Sequence, residues 1–225
     1  MYLDKVPGEP GYGKAFRCSC QRQNDRLERM AIHLRFCNLP ANTEHMTLDN
    51  FKADSESLRQ ALDLAKQIAV GGSMNWLTLL GKVDRGKTHL AVGICRAWLE
   101  RGVAARYVYV PILLKELREG FDDADRNYSD RLNHFLNVPL LVLDDLGVQK
   151  PTPWAQEQLQ MIIDYRFMEG LALVVTSNKP IDDIPGDDEH RIASRLQRNP
   201  NGAIVVIESG EYRLEGTDFR RLKGG

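Results

Sequence analysis

From about residue 52 onward, two hydrophobic periods alternate along the chain. In the stretch SESLRQALDLAKQIAVGG, Leu58, Ala61, Leu62, Ala65, Ile68 and Ala69 recur at three-to-four spacing, which places them on one helical face. Asp54 or Ser55 can cap its start, and Gly71-Gly72 ends it. A short apolar run, Trp76 to Leu80, is followed by a glycine-containing turn and a helical pattern from about Lys87 to Arg101. Ala105 to Val110 is β-branched and aromatic, which predicts a strand. Helical stretches follow around Ile112–Glu119 and Tyr128–Leu136. Leu140 to Leu143 is wholly apolar, as a strand buried on both faces requires. Trp154 to Met168 reads as a helix, Leu171 to Thr176 as another buried strand, Glu189–Gln197 as a short helix and Ala203 to Ile207 as a final strand. Such alternation predicts an α/β fold: a mostly parallel five-stranded sheet with helices on both faces.

Residues 1–50 differ, being turn-rich and charged with little apolar periodicity, and are read as an N-terminal arm preceding a domain over 51–225. Lys plus Arg (30) nearly cancels Asp plus Glu (31), so any nucleic-acid contact has to be a local patch. No apolar run approaches the roughly 20 residues that span a bilayer, and the start lacks the apolar segment of a secretory signal. Four scattered cysteines are too few for a disulfide scaffold. Together these features predict a cytoplasmic chain with reduced thiols and no membrane partner.

The chemistry concentrates at Gly81-Lys82-Val83-Asp84-Arg85-Gly86-Lys87-Thr88, which fits G-x-x-x-x-G-K-[ST], a phosphate loop, with His89 next along the same site. Glycine is needed where the backbone wraps polyphosphate, and the helix that follows aims its positive end at the same anion. Lys87 is expected to reach the outer phosphates of ATP, and Thr88 to ligate Mg²⁺. Asp84 is unfavourable beside phosphate unless it points away or pairs with Arg85.

Downstream, the apolar strand at Leu140–Leu143 delivers Asp144 and Asp145 to its C-terminal edge, where ligands bind in open α/β sheets. The segment resembles a Walker B strand, which implies that Asp144 holds Mg²⁺ through water and that Asp145 orients the attacking water; a pair of acids also suits a loop cap. Asn178 ends the strand Leu171–Thr176, which resembles the sensor-1 strand of AAA+ ATPases and so implies a contact to the γ-phosphate or the water; before Lys179-Pro180 the alternative is a turn former. Arg191 and Arg195 lie four apart on one helical face, which by itself reads as a solvated basic surface; the segment also resembles the AAA+ region whose arginine reaches a neighbouring subunit's ATP, and that resemblance implies the role for Arg195 first and Arg191 second.

Taken together, these motifs resemble the AAA+ class of P-loop NTPases, and within it the DnaC/DnaI-type loaders of replicative DNA helicases. The likeness covers roughly 45–215. It includes Met46-Thr47-Leu48-Asp49-Asn50-Phe51, the loop through Ala91, Tyr109-Val110 with Leu113-Leu114 and Leu117-Arg118, Asp144-Asp145-Leu146-Gly147, Ile163-Asp164-Tyr165-Arg166 and Thr176-Ser177-Asn178. The resemblance implies no C-terminal helical lid, an ATP-dependent oligomer, a replicative DNA helicase as partner, and single-stranded DNA bound near Lys115, Arg118 and Arg126, a stretch that also reads as an ordinary solvated helix face. It also implies that the N-terminal arm grips the helicase and can carry zinc. An upstream cysteine pair of that module is absent here, and the available ligand set is Cys18, Cys20, His33 and Cys37. Cys95 reads as core packing. Two other readings share the core: an IstB-type transposition helper that binds duplex DNA, and a nucleotide switch with little hydrolysis. The second is suggested by Asp84, where many such loops have glycine, and by Asp145, where Glu is usual.

Overall fold

The computed structural model describes residues 34, 36–122, 127–184, 187 and 190–208. Helix α1 is Glu56–Val70, capped by Ser55 Oγ, which accepts from Leu58 N at 3.3 Å, and stopped at Gly71 with φ 72°. Strand β1 (Trp76–Leu80) leads through the glycine-rich turn to α2 (Lys87–Glu100), and β2 (Ala105–Tyr109) runs directly into α3 (Val110–Asp122). Helix α4 (Asn127–Asn137) and strand β3 (Leu140–Asp144) follow, then α5 (Pro153–Met168), β4 (Ala172–Ser177), α6 (Arg191–Arg198) and β5 (Gly202–Val206). Thr152 caps α5 and Pro153 opens it, where a missing N–H is harmless.

All five strands are parallel, in the order β2-β3-β4-β1-β5. Strand period decides which cluster each side chain joins. Leu77, Leu79, Leu140, Val142 and Val174 pack toward α1 and α2, while Trp76, Leu141, Leu143, Leu173 and Val175 pack toward α3–α6. Residues 37–50, read from sequence as part of the arm, pack with Phe51 on the first of these layers. Cys37 and Phe51 are buried there, and Leu48 lies where a Cβ on Gly93 would stand 2.8 Å from it, so α2 carries glycine at the contact.

Most boundaries move by one to three residues from the sequence reading, and two of the shifts have a clear local cause. Val110 opens α3 rather than ending β2, because Pro111 fits a first helical turn and cannot donate to a ladder. Helix α6 begins at Arg191 rather than Glu189: His190 turns the backbone at φ 51°, and the buried Asp187 carboxylate accepts from Ile192 N (3.0 Å) and Ala193 N (2.8 Å).

At the N-terminal edge of the sheet, the wholly buried Arg166 donates to five carbonyls: Phe135, Leu136, Val138, Pro139 and Ala172. It thereby closes the end of α4 and fixes the starts of β3 and β4.

Candidate functional site

The phosphate loop stands at the C-terminal edge of the sheet. Gly81 has φ 148°, and a Cβ there would lie 2.7 Å from the Ile207 carbonyl, so only glycine fits. Gly86, φ 80°, precedes α2 with no side-chain cap, which leaves the first-turn N–H groups of a fourteen-residue helix available to an anion. Lys87 is buried, and its Nζ donates to the carbonyls of Gly81 (2.8 Å) and Lys82 (2.6 Å). Burial pushes its pKa down, and Asp145, Asp144 and Asp84 oppose that shift. Asp84 has φ 58°, a left-handed conformation that Asp tolerates but glycine adopts freely. Arg85 lines the cavity, and its buried Nη1 has no hydrogen-bond partner among the described residues. Unmet donors and an uncapped helix end suit a polyanion.

Beside the loop, Asp144 is buried within three hydroxyls. Thr176 donates to Oδ1 at 2.7 Å and Tyr107 to Oδ2 at 2.5 Å, while Thr88 Oγ1 stands 3.3 Å from both oxygens. Burial, then the Asp144 charge, raises the Tyr107 pKa far above its usual range, so the phenol is the donor. Thr176 Oγ1 also accepts from Asp145 N at 2.9 Å. Strand β4 lies between β3 and β1, which is why its end can bridge the carboxylates and the loop. Asp145, φ 57°, accepts from Asn178 Nδ2 at 2.9 Å. Its pKa is raised by burial and by Asp144, with Lys87 and Asn178 opposing.

A cavity of about 380 Å³ joins these parts: His45, Met46, the loop from Val83 to His89, Asp145 and Asn178. His89 holds the preceding segment in place, its Nε2 2.9 Å from the Thr47 carbonyl and its ring edge-on to Phe51 at 5.2 Å. Every residue expected at the phosphate and water site from Gly81 through His89, together with Asp144, Asp145 and Asn178, is brought to this one edge. Mg²⁺ takes one or two carboxylates with water and substrate phosphate rather than an all-protein cage. The Thr88–Asp144 pair suits that demand, and no group of three or more His, Cys, Asp or Glu among the described residues forms a cage.

Other expected site residues lie elsewhere. Arg191 and Arg195 do not line this cavity; with Gln160, Asp164, His190 and Ser194 they line a second one of about 330 Å³. Arg195 Nε donates to Asp164 Oδ1 at 2.6 Å, and its guanidinium lies 4.9 Å from the Phe167 ring centroid. The zinc set receives no support. Cys37 is fully buried, because the segment carrying it packs as core in the same cluster as Cys95; Cys18, Cys20 and His33 lie outside the described residues. Cys95 is core, as its place in α2 implied.

Tyr107 was not singled out by sequence, and Thr176 only as part of a resembling segment. A tyrosine in a strand buried among apolar neighbours needs a partner for its hydroxyl, and that was the available signal.

This architecture recurs in known proteins. The DnaC helicase loader crystal structure superposes with a TM-score of 0.67 at 24% identity, covering 75% of this chain and 100% of that one. AMPPCP-bound DnaA from Aquifex aeolicus gives 0.66 at 22%, covering 76% and 52%. In sequence, the replicative helicase loader DnaC of Escherichia coli (strain K12) is 23% identical over 205 residues, 90% of this chain and 83% of that protein. The loader DnaI of Bacillus subtilis (strain 168) is 26% identical over 218 residues, 91% and 68% of the two chains. The fold is therefore the parallel P-loop NTPase sheet of these AAA+ proteins. A family model described as IstB-like ATP binding protein matches residues 19–212, a span that holds the loop, both carboxylates and Asn178, and the chain belongs to that family.

Proposed function

We propose that this protein is an ATP-hydrolysing loader that places a replicative DNA helicase on single-stranded DNA, working as an oligomer. The observation that carries the reading is the single edge shared by Lys87, Thr88, Asp144, Asp145 and Asn178, in a chain related over most of its length to two helicase loaders.

In this reading, Lys87 exchanges its loop carbonyls for the outer phosphates of ATP, and the α2 N–H groups neutralise the same oxygens. Thr88 and Asp144 hold magnesium, which supplies charge neutralisation on the phosphates. Asp145 orients the attacking water and takes its proton, aided by a pKa that burial and the Asp144 charge raise. Asn178, hydrogen-bonded to Asp145, fixes that carboxylate and contacts the γ-phosphate or the water. Arg195, or else Arg191, serves the ATP of a neighbouring copy, which makes turnover depend on self-association; the Asp164 and Phe167 contacts hold Arg195 on the α6 surface until then.

A DNA contact is supported by a groove of about 250 Å³ between α3 and the start of α5. It is lined by Pro111, Lys115, Arg118, Lys150 and Trp154 among others, and Arg118 stacks over the Trp154 ring at 4.8 Å. Cationic and aromatic side chains together suit single-stranded nucleic acid. Arg126, expected to join them, lies outside the described residues.

The family match favours a second reading, an IstB-type helper that acts on duplex DNA. ATP hydrolysis measured with single strands, with duplex and without DNA separates them. Stimulation by single strands that Lys87→Ala abolishes is the expected result. Stimulation by duplex alone would transfer the protein to the second reading, and tight ATP binding with no Lys87-dependent turnover would make it a nucleotide switch.

A further inference from the structure

The Asp144 carboxylate is gripped from both neighbouring strands. Thr176 on β4 holds Oδ1 and Tyr107 on β2 holds Oδ2, and β2 and β4 are the two strands that flank β3. The register explains the reach: Tyr109 pairs with Asp144, and Tyr107 lies two positions back on the same side of the pleat. Thr88, at 3.3 Å from each oxygen, is beyond the usual O–H···O range and does not set the carboxylate's orientation.

Packing does not explain the tyrosine. Its ring is 5% exposed in a cluster of apolar residues and two thiols, where Phe would fill the same volume without bringing a polar atom inside. The hydroxyl's recorded side-chain partner is Asp144. A buried carboxylate fixed through both oxygens presents one orientation toward the phosphate loop. With only Thr176 left, it can pivot about Oδ1 and draw the Thr88 hydroxyl toward the emptied Oδ2, away from the ion that Thr88 is needed to ligate.

We propose that Tyr107 is a positioning residue for magnesium, whose hydroxyl holds Asp144 in the orientation that receives the hydrated ion and so sets the Mg²⁺ concentration the site requires. The inference rests on the reading of Thr88 and Asp144 as the magnesium site.

Tyr107→Phe removes one oxygen atom and tests it. Binding of a fluorescent ATP analogue is titrated with Mg²⁺ and repeated in EDTA, so that turnover plays no part. The Mg²⁺ midpoint is expected to rise about tenfold, as for other groups that orient a metal's ligands, while metal-free affinity is unchanged. Thr176→Val, which removes the opposite grip, is expected to shift the midpoint in the same direction and decides the matter if Tyr107→Phe does not fold. An unmoved midpoint, or equal losses with and without Mg²⁺, would overturn the role of Tyr107. Nucleotide binding by the unsubstituted protein that ignores Mg²⁺ altogether would overturn the magnesium reading beneath it.

Discussion

Lys87, at the C-terminal edge of the strands, and Arg166, at their N-terminal edge, are both buried cations held by backbone carbonyls, yet they tie different parts of the molecule together. Arg166 spans three elements with five carbonyl contacts. Lys87 has two, both from its own loop, for an ammonium with three donors. The planar guanidinium is committed to architecture, tying the end of α4 to the starts of β3 and β4. The ammonium is held by contacts that a phosphate can replace. One sheet thus carries the same kind of interaction as a fixed joint at one edge and as an exchangeable latch at the other.

The comparison can be broken most forcefully at Arg166. Arg166→Met takes a shared donor away from carbonyls at a buried helix end and two strand starts, and is expected to destabilise the fold by about 3–5 kcal/mol in chemical denaturation. Lys87→Ala should behave oppositely: the denaturation midpoint holds, because only loop carbonyls are released, while ATP affinity falls about 100-fold with the loss of charge-assisted bonds.

A smaller effect is expected at Asp145. Its folded pKa is raised by burial and by Asp144, so the native state pays for the ionised form, and that penalty is present above the folded pKa and disappears as pH falls through it. Asp145→Asn should therefore raise the melting midpoint at neutral pH, with the gain fading on acidification, while hydrolysis is lost and ATP binding retained. Equal midpoints at neutral pH would contradict the burial argument. The smallest change sharpens the latch itself. Asp84→Gly removes both a left-handed Asp and a negative charge from the loop, and should tighten ATP binding about fivefold, or about 1 kcal/mol, in a direct binding titration.

Much of this was legible in the residues. The apolar runs at Trp76–Leu80, Leu140–Leu143 and Leu171–Thr176 are strands because each is buried on both faces, a condition that writes itself into consecutive positions. Ser55 capping and the Gly71 stop were local chemistry, as was the phosphate loop, whose glycines answer a backbone demand within eight residues. Helix α6 was harder, because its start depends on Asp187 reaching over a turned His190. The place of Cys37 in the core was not legible, because nothing near it in sequence reveals Cys95, which lies on a different element of the same cluster.

What the sequence determined by itself was therefore the set of short-range commitments: which segments are strands, where helices are capped, and which loop can wrap phosphate. Only the tertiary structure decided that β4 would pass between β1 and β3, placing Thr176 and Asn178 between the loop and the carboxylates. It also gave Tyr107 to Asp144 and joined Arg166 to carbonyls some thirty residues away. The physical reason is range. Periodicity and capping are settled by neighbours along the chain, whereas a buried polar group finds its partner through strand order and register, which no local pattern encodes.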